Sequence, residues 1–289
     1  MAERTKKPVG ANEIIGSLYS PDFSFDPSQN AKLTWDVQRR IIEGPNDPLP
    51  VPPPELRMYY GTESDQAFLD YGLRTYDAIR QIMNREGIQL VAGDSLLEWG
   101  CASGRVLRHF ADETGICDVW GVDRDIPHLS WAKSNLSPPF KFVTCTAYPH
   151  LPFEDCTFRL CYGISVFTHV IHLIDMWLME FRRILVPGGY ALFTIQDEHS
   201  WQWILEHKDW NGFWSPFISK EELSNGMQHD IYALLSNENN DWDSVHTFFK
   251  TKWIRQEWGR YFEIVAIEPL AVDFQSIVVL RKPIAHPHV

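Results

Sequence analysis

The chain has 289 residues, 44% of them hydrophobic, with a formal net charge of −12, which is length enough for one large core with additions. The acidic balance, with no basic stripe to offset it, argues against a nucleic-acid partner, because phosphate binding depends on clustered Lys and Arg. No stretch reads as a membrane span, Met1–Lys7 has no apolar run after it as a signal peptide would, and five cysteines without Cys-x-x-Cys spacing argue against disulfides and a zinc site, so a cytoplasmic, metal-free protein is expected.

In chain order, residues 1–63 are rich in Pro, Asp and Ser and read as an N-terminal extension. It holds a candidate helix near Ala31–Ile42 and a stiff, extended strap, Pro48–Pro54. Residues 64–289 read as the main domain. A helix is predicted from about Ser64, with Leu69, Leu73, Tyr76, Ile79 and Met83 at helical spacing and Gly87 as its stop. From Asp94 strands and helices alternate, which predicts a parallel sheet covered on both faces. Strands are expected near Leu96–Trp99, Val119–Val122, Lys141–Thr144, Leu160–Ile164 and Tyr190–Ile195. The clearest helix is His172–Leu185, with Leu173, Trp177, Phe181 and Ile184 in one stripe and Arg182 and Arg183 in its last turn.

Residues 199–250 interrupt the alternation with Trp201, Trp203, Trp210, Phe213, Trp214, Phe217, Trp242, Phe248 and Phe249 among Asn, Asp and Ser. An insertion there would roof the open end of the sheet as a substrate cap. A satellite core under a long loop is the plainer reading, and about half of these aromatics are expected to serve it. A last helix, Thr251–Tyr261, and two strands, Phe262–Ile267 and Gln275–Arg281, complete the chain.

Leu96-Leu-Glu-Trp-Gly-Cys-Ala-Ser-Gly104 is the most informative stretch. An apolar run ends in Glu98 and passes into a loop with Gly100 and Gly104, and a helix opening near Ser103 would aim its N–H groups into the same space. The spacing does not meet the three-glycine dinucleotide fingerprint. A carboxylate at the mouth of the loop repels a pyrophosphate and attracts an ammonium or sulfonium, so a cationic, adenosine-like ligand is expected.

At these residues the chain resembles the class I S-adenosylmethionine-dependent methyltransferases, whose first motif reads acidic-x-Gly-x-x-x-Gly after the first strand. Val119-Trp-Gly-Val-Asp123, Leu151-Pro-Phe-Glu-Asp155 with Phe158–Tyr162, and Ile184-Leu-Val-Pro-Gly-Gly-Tyr190 resemble its later motifs in order. The resemblance implies a Rossmann-like α/β fold: a mostly parallel seven-stranded sheet, helices on both faces, the last strand antiparallel. It implies S-adenosyl-L-methionine as cofactor and methyl transfer as the reaction.

By that resemblance Glu98, Gly100, Ser103 and Gly104 hold the methionine end, Asp123 grips the ribose diol and Arg124 flanks the adenine. Asp125 is the better cap for the following helix, which leaves Asp123 free. Thr146 and Ala147 stand where many relatives carry an acid for the adenine amino group. The loop Gly163–His169 lies beside the transferable methyl, with Ser165 in it and Phe167 facing the sulfonium. Tyr60, Tyr59 and Arg57 are candidates to close over the cofactor, Arg57 as partner of its carboxylate.

A hydroxyl acceptor needs a base, and histidine titrates in the right range. His169 is the first candidate, with His199 and His246 in reserve; a capping or packing role is the ordinary one for a histidine at a helix start. Asp197-Glu198-His199 reads as a solvated acidic turn rather than a metal site. The expected acceptor is a small molecule, methylated at a hydroxyl oxygen of a natural-product or sugar-type compound. The alternatives are N-methylation of an amine, a NAD-type oxidoreductase and a non-catalytic cofactor-binding module. A homodimer is compatible with the sequence, since the strap can close its own pocket or a neighbour's.

Overall fold

The computed structural model describes residues 49–57, 60–207, 214, 217–235 and 245–284. The candidate helix near Ala31–Ile42, together with Tyr59, Trp210, Phe213 and Trp242, lies outside the described residues.

Ser64 caps the first helix, α1 (Asp65–Arg85), by accepting the Ala67 N–H, and Gly87 at φ +66° follows its end. Strands β1 (Ser95–Trp99), β2 (Asp118–Asp123), β3 (Lys141–Thr144) and β4 (Phe158–Gly163) and helices α2 (Ile126–Leu136) and α3 (Ile174–Ile184) follow in alternation. Strand β5 (Leu185–Ile195) starts directly from α3, five residues earlier than expected from Tyr190. Gly188 at φ +75° and the close-packed Gly189 let the chain turn there within strand pairing. Then come α4 (Glu198–Glu206), α5 (Lys220–Ser224), a hairpin of β6 (Ile231–Leu235) and β7 (Val245–Phe249), α6 (Thr251–Glu257), β8 (Glu263–Val272) and β9 (Gln275–Arg281).

The main sheet has seven strands in the order β3-β2-β1-β4-β5-β9-β8. Strands β1 to β5 pair in parallel, and β9 is antiparallel to both β5 and β8. Strand order reverses between β1 and β4, so a crevice opens at their carboxyl ends. Alternation along the strands splits the core in two. Leu96, Leu160 and Leu192 meet α1 and α2 on one face, whereas Leu97, Cys161 and Phe193 meet α3 and α6 on the other. Trp99 packs against Trp177 and Phe181 at centroid distances of 4.6 and 5.0 Å, which fixes α3 against the tip of β1.

The segment after the glycine loop departs from expectation. No α-helix opens near Ser103; the chain makes turns and two 3₁₀ segments, Leu107–Phe110 and Asp112–Gly115. Ala102 and Gly104 both sit at positive φ, 44° and 77°, which is incompatible with a helix starting there. The strap, from Leu49 onward, is docked: Arg108 donates to the Leu49 and Pro50 carbonyls, and Leu56 is buried in the main core.

The insertion divides its aromatics. Trp201, Trp214 and Phe248 form a satellite cluster with Phe274, and Phe249 joins the main core. Trp203 and Phe217 line the large cavity described below.

Candidate active site

The carboxyl end of β1 places Glu98 beside its register partner on β4, Tyr162, which donates its hydroxyl to Glu98 Oε2 at 2.9 Å. Burial raises the Glu98 carboxyl from 4.5 to about 8, against the lowering effects of the Tyr162 hydrogen bond and the Arg105 charge. The expected fixed negative charge is therefore conditional. In its dry setting Glu98 holds a proton at neutral pH unless a cation arrives to replace it. Gly100 sits at φ +75°, where a Cβ would come within 2.5 Å of Val166 Cγ2, so only glycine lets the loop pass. Ser103 is buried at the cavity wall, and its hydroxyl has no hydrogen-bond partner among the described residues. Gly104 does not line the cavity; its missing Cβ makes room for Leu136. Its role is backbone geometry, a correction to its assignment as a ligand contact.

At the tip of β2, Asp123 accepts the Ala102 N–H at 2.6 Å and the Asp125 N–H at 2.8 Å, and burial raises its pKa. Asp125 caps α2, as expected, by accepting the His128 N–H. Asp123 is not left free, because it ties the glycine loop to the β2 tip while lining the cavity. Arg124, Thr146 and Ala147 line the same end.

After β4, Ser165 takes φ +55° and donates its N–H to Thr194 Oγ1 at 2.7 Å. Its hydroxyl accepts from Gln275 Nε2 at 2.6 Å and lies 3.3 Å from the Tyr60 hydroxyl, joining strap, β4 tip and β9. Phe167 does not face the cavity. It is fully buried between Trp99, Phe193 and Trp258, because the short 3₁₀ turn Phe167–His169 directs it into the α3 side of the core.

His169 and His246 meet at the far end of the cavity, their rings 5.2 Å apart. His169 Nδ1 lies 2.7 Å from the Val245 carbonyl, so it carries the hydrogen and Nε2 keeps the lone pair. Desolvation lowers His169 from 6.5 to about 4 and His246 to about 3, with the Arg124 charge adding to the first and His169 itself to the second. Neither ring titrates where a general base for neutral pH would, which corrects the reasoning that singled them out. His199 is outside the site: it is 46% exposed and leans on Asp197. Asp197-Glu198-His199 is no solvated turn either. Asp197 is buried and closes a capping box with Ser200, and Glu198 accepts the Thr251 N–H at 2.9 Å.

Arg57 reaches the cavity wall, but its guanidinium is committed to the strap. It donates to the Pro52 and Gly61 carbonyls and pairs with Asp65. Arg105 was not singled out from the sequence; its guanidinium stacks over Tyr60 at 4.2 Å, and its position just past Gly104 was the only signal. Gln196, Phe274 and Gln275 were missed too, because their approach depends on how β5, β8 and β9 meet.

These residues enclose one cavity of about 980 Å³ at the β1/β4 switch point. That is the upper end of what one drug-sized ligand occupies, roughly 300–1,000 Å³. Glu98 and Asp123 stand at one end, and the histidines with Trp177, Trp203 and Phe217 at the other. No group of side chains able to hold a metal occurs among the described residues. No helix among them is long and apolar enough to cross a membrane.

Comparison with known proteins agrees with this geometry. Residues 97–193 match the family described as Methyltransferase domain. The sterol 24-C-methyltransferase of Schizosaccharomyces pombe is 32% identical over 102 residues, 34% of this chain and 26% of that protein. The fatty-acid O-methyltransferase of Mycolicibacterium smegmatis is 27% identical over 148 residues, 46% of this chain and 53% of that protein. The chain thus spans about a quarter and about half of these two relatives. The crystal structure of the PH0226 protein from Pyrococcus horikoshii superposes with a TM-score of 0.56 at 17% identity, covering 79% of this chain and 98% of that one, a likeness of fold. Motif order, sheet order and family match converge: residues 97–193 match a methyltransferase domain, set in a Rossmann-like sheet.

Proposed function

We propose that this protein transfers a methyl group from S-adenosylmethionine to an oxygen of a small-molecule acceptor. The observation that carries the reading is the single cavity at the switch point, running from a nucleoside-sized cradle at Glu98 and Asp123 to a separate aromatic and imidazole chamber under the insertion. The residues present fit the cofactor. Ser103 offers a buried hydroxyl awaiting a partner, Glu98 a buried acid that a cation would ionise, and Gly100 a surface stripped of its Cβ.

On this reading Glu98, Ser103 and the loop around Gly100 hold the methionine end, Asp123 the ribose, and Arg124, Thr146 and Ala147 the adenine. Tyr60 and Ser165 close the cavity from the strap side. When bound, the cofactor supplies a methyl group already activated by a sulfonium, so the protein's share is alignment in a space emptied of water. The chamber walls suit an apolar or flat acceptor, and the two relatives above are named for lipid acceptors, sterol and fatty acid. Five free cysteines, four of them buried, fit a reducing cytoplasm.

The test is an equilibrium titration of the full chain with S-adenosylmethionine, S-adenosylhomocysteine and NAD, followed by a transfer assay with labelled methyl. Micromolar binding of the first two and none of the third is expected. Preference for NAD would overturn the reading.

A further inference from the structure

The acceptor end of the cavity is equipped to attract charge and poorly equipped to remove a proton. His169 spends its Nδ1 hydrogen on the Val245 carbonyl, and His246 is packed edge-on against Trp214 and Phe217 with centroids 4.6 and 4.7 Å away. Gln196 Nε2 lies 3.4 Å from His246 Nδ1, leaving the His246 hydrogen on Nε2. A proton gained by either ring would place a cation in this aromatic packing beside a second imidazole. Among the described residues, the charged groups lining the cavity are the carboxyls Glu98, Asp123, Asp125 and Asp273 and the guanidiniums Arg57, Arg105 and Arg124; the Arg124 charge, from the tip of β2, is felt at His169. No lysine lines the cavity among the described residues.

Resting on the methyltransferase reading, we propose that the acceptor is a carboxylic acid with an apolar body, bound as its carboxylate and converted to the methyl ester. A lone pair of one carboxylate oxygen forms the bond to the methyl carbon while the carbon–sulfur bond breaks and its electron pair stays on sulfur. The acceptor anion and the sulfonium both become neutral, and no proton moves. That chemistry needs no base, which matches two imidazoles kept neutral by burial. Arg124, whose charge reaches His169, draws the anion in and disfavours an ammonium there, while the buried carboxyls Glu98 and Asp123 stand at the cofactor end of the cavity. Val170, Ile171, Trp177 and Phe274 line the space for the apolar body. An alcohol would have to shed its proton to an imidazole that burial makes a weak base.

The experiment offers dodecanoate, dodecanol and dodecylamine to the full chain with S-adenosylmethionine, after calorimetry with S-adenosylhomocysteine, and identifies products by mass spectrometry. Methyl dodecanoate alone is expected, with kcat/KM for dodecanoate at saturating S-adenosylmethionine constant within about twofold from pH 6 to 9. Arg124→Gln should raise KM for dodecanoate about tenfold at saturating S-adenosylmethionine, and Arg124→Lys, which keeps the charge, should restore most of that KM. Methylation of the alcohol or amine, or no ester from either dodecanoate or 4-phenylbutyrate by a protein that binds S-adenosylhomocysteine, overturns the carboxylate proposal and leaves the methyltransferase reading standing. Absence of S-adenosylhomocysteine binding overturns both.

Discussion

Glu98 and Tyr162 are register partners on adjacent parallel strands, and the Tyr162 hydroxyl donates to the Glu98 carboxyl at 2.9 Å with both side chains buried. The pair holds an acid in a place where ionising it is costly. The sign of its effect on stability follows from its raised pKa. Between about 4.5 and about 8 the unfolded chain has lost the Glu98 proton and the folded chain keeps it, so rising pH destabilises the fold across that window. The loss is ~1.4 kcal/mol per pH unit at most. Stability owed to the protonated form is complete below about 4.5 and gone above about 8.

Glu98→Gln should therefore flatten the pH dependence of the unfolding midpoint between pH 5 and 8 and raise the midpoint at pH 8, while weakening S-adenosylmethionine binding at least tenfold. Thermal melts and calorimetry on both proteins check this. An unchanged cofactor Kd would remove Glu98 from the binding site.

Cofactor binding at pH 7 should release up to one proton as Glu98 ionises beside the incoming ammonium. Calorimetry in buffers of different ionisation enthalpy measures it directly. Proton uptake, or none, would mean that the ammonium is held elsewhere.

Asp123→Ala removes the acceptor of two backbone N–H groups as well as the proposed ribose contact. Bonds to a charged acceptor contribute about 1.5–3 kcal/mol each, so cofactor affinity should fall between tenfold and a hundredfold or more. Asp123→Asn keeps one acceptor oxygen and should fall in between. The Kd values for S-adenosylhomocysteine give the ordering.

His169→Gln keeps a donor toward the Val245 carbonyl and should retain turnover within about tenfold, without a new pH dependence between 6 and 8. General-base catalysis contributes about 10²–10⁴-fold. A loss of that size, with an inflection near 6.5 in the parent enzyme, would make His169 the base after all.

Arg57→Met strips the strap of the side chain that joins Pro52, Gly61 and Asp65. Two buried hydrogen bonds and one partly buried ion pair, at about 1 kcal/mol each, predict a loss of about 3 kcal/mol and a melting temperature lower by roughly 6–12 °C for a chain of this size. The cofactor Kd should rise too, since Tyr60 reaches Ser165 from the same strap.

The strands were readable from local pattern. Lys141–Thr144 and Gln275–Arg281 match their predicted limits, and Ser64, Gly87 and Asp125 act where capping chemistry put them. Legible in the same way was the gathering of Glu98, Gly100, Ser103 and Asp123 along one cavity, because loop and strand tip are close in sequence and their backbone needs are written in residue types. The misread parts share a different cause. Phe167 and His169 are two residues apart, yet one lies in the core and the other on the cavity wall, and only the path of a single 3₁₀ turn separates them.

By itself the amino-acid order determined the alternating α/β layout, the glycine-permitted loop and the acids at two strand tips, all consequences of local sterics and periodicity. Tertiary structure decided the rest. Packing brought His246 from β7 to His169, committed Arg57 to the strap and set Arg105 over Tyr60. It also desolvated Glu98 and both histidines, and protonation depends on that three-dimensional burial, which no reading along the chain contains.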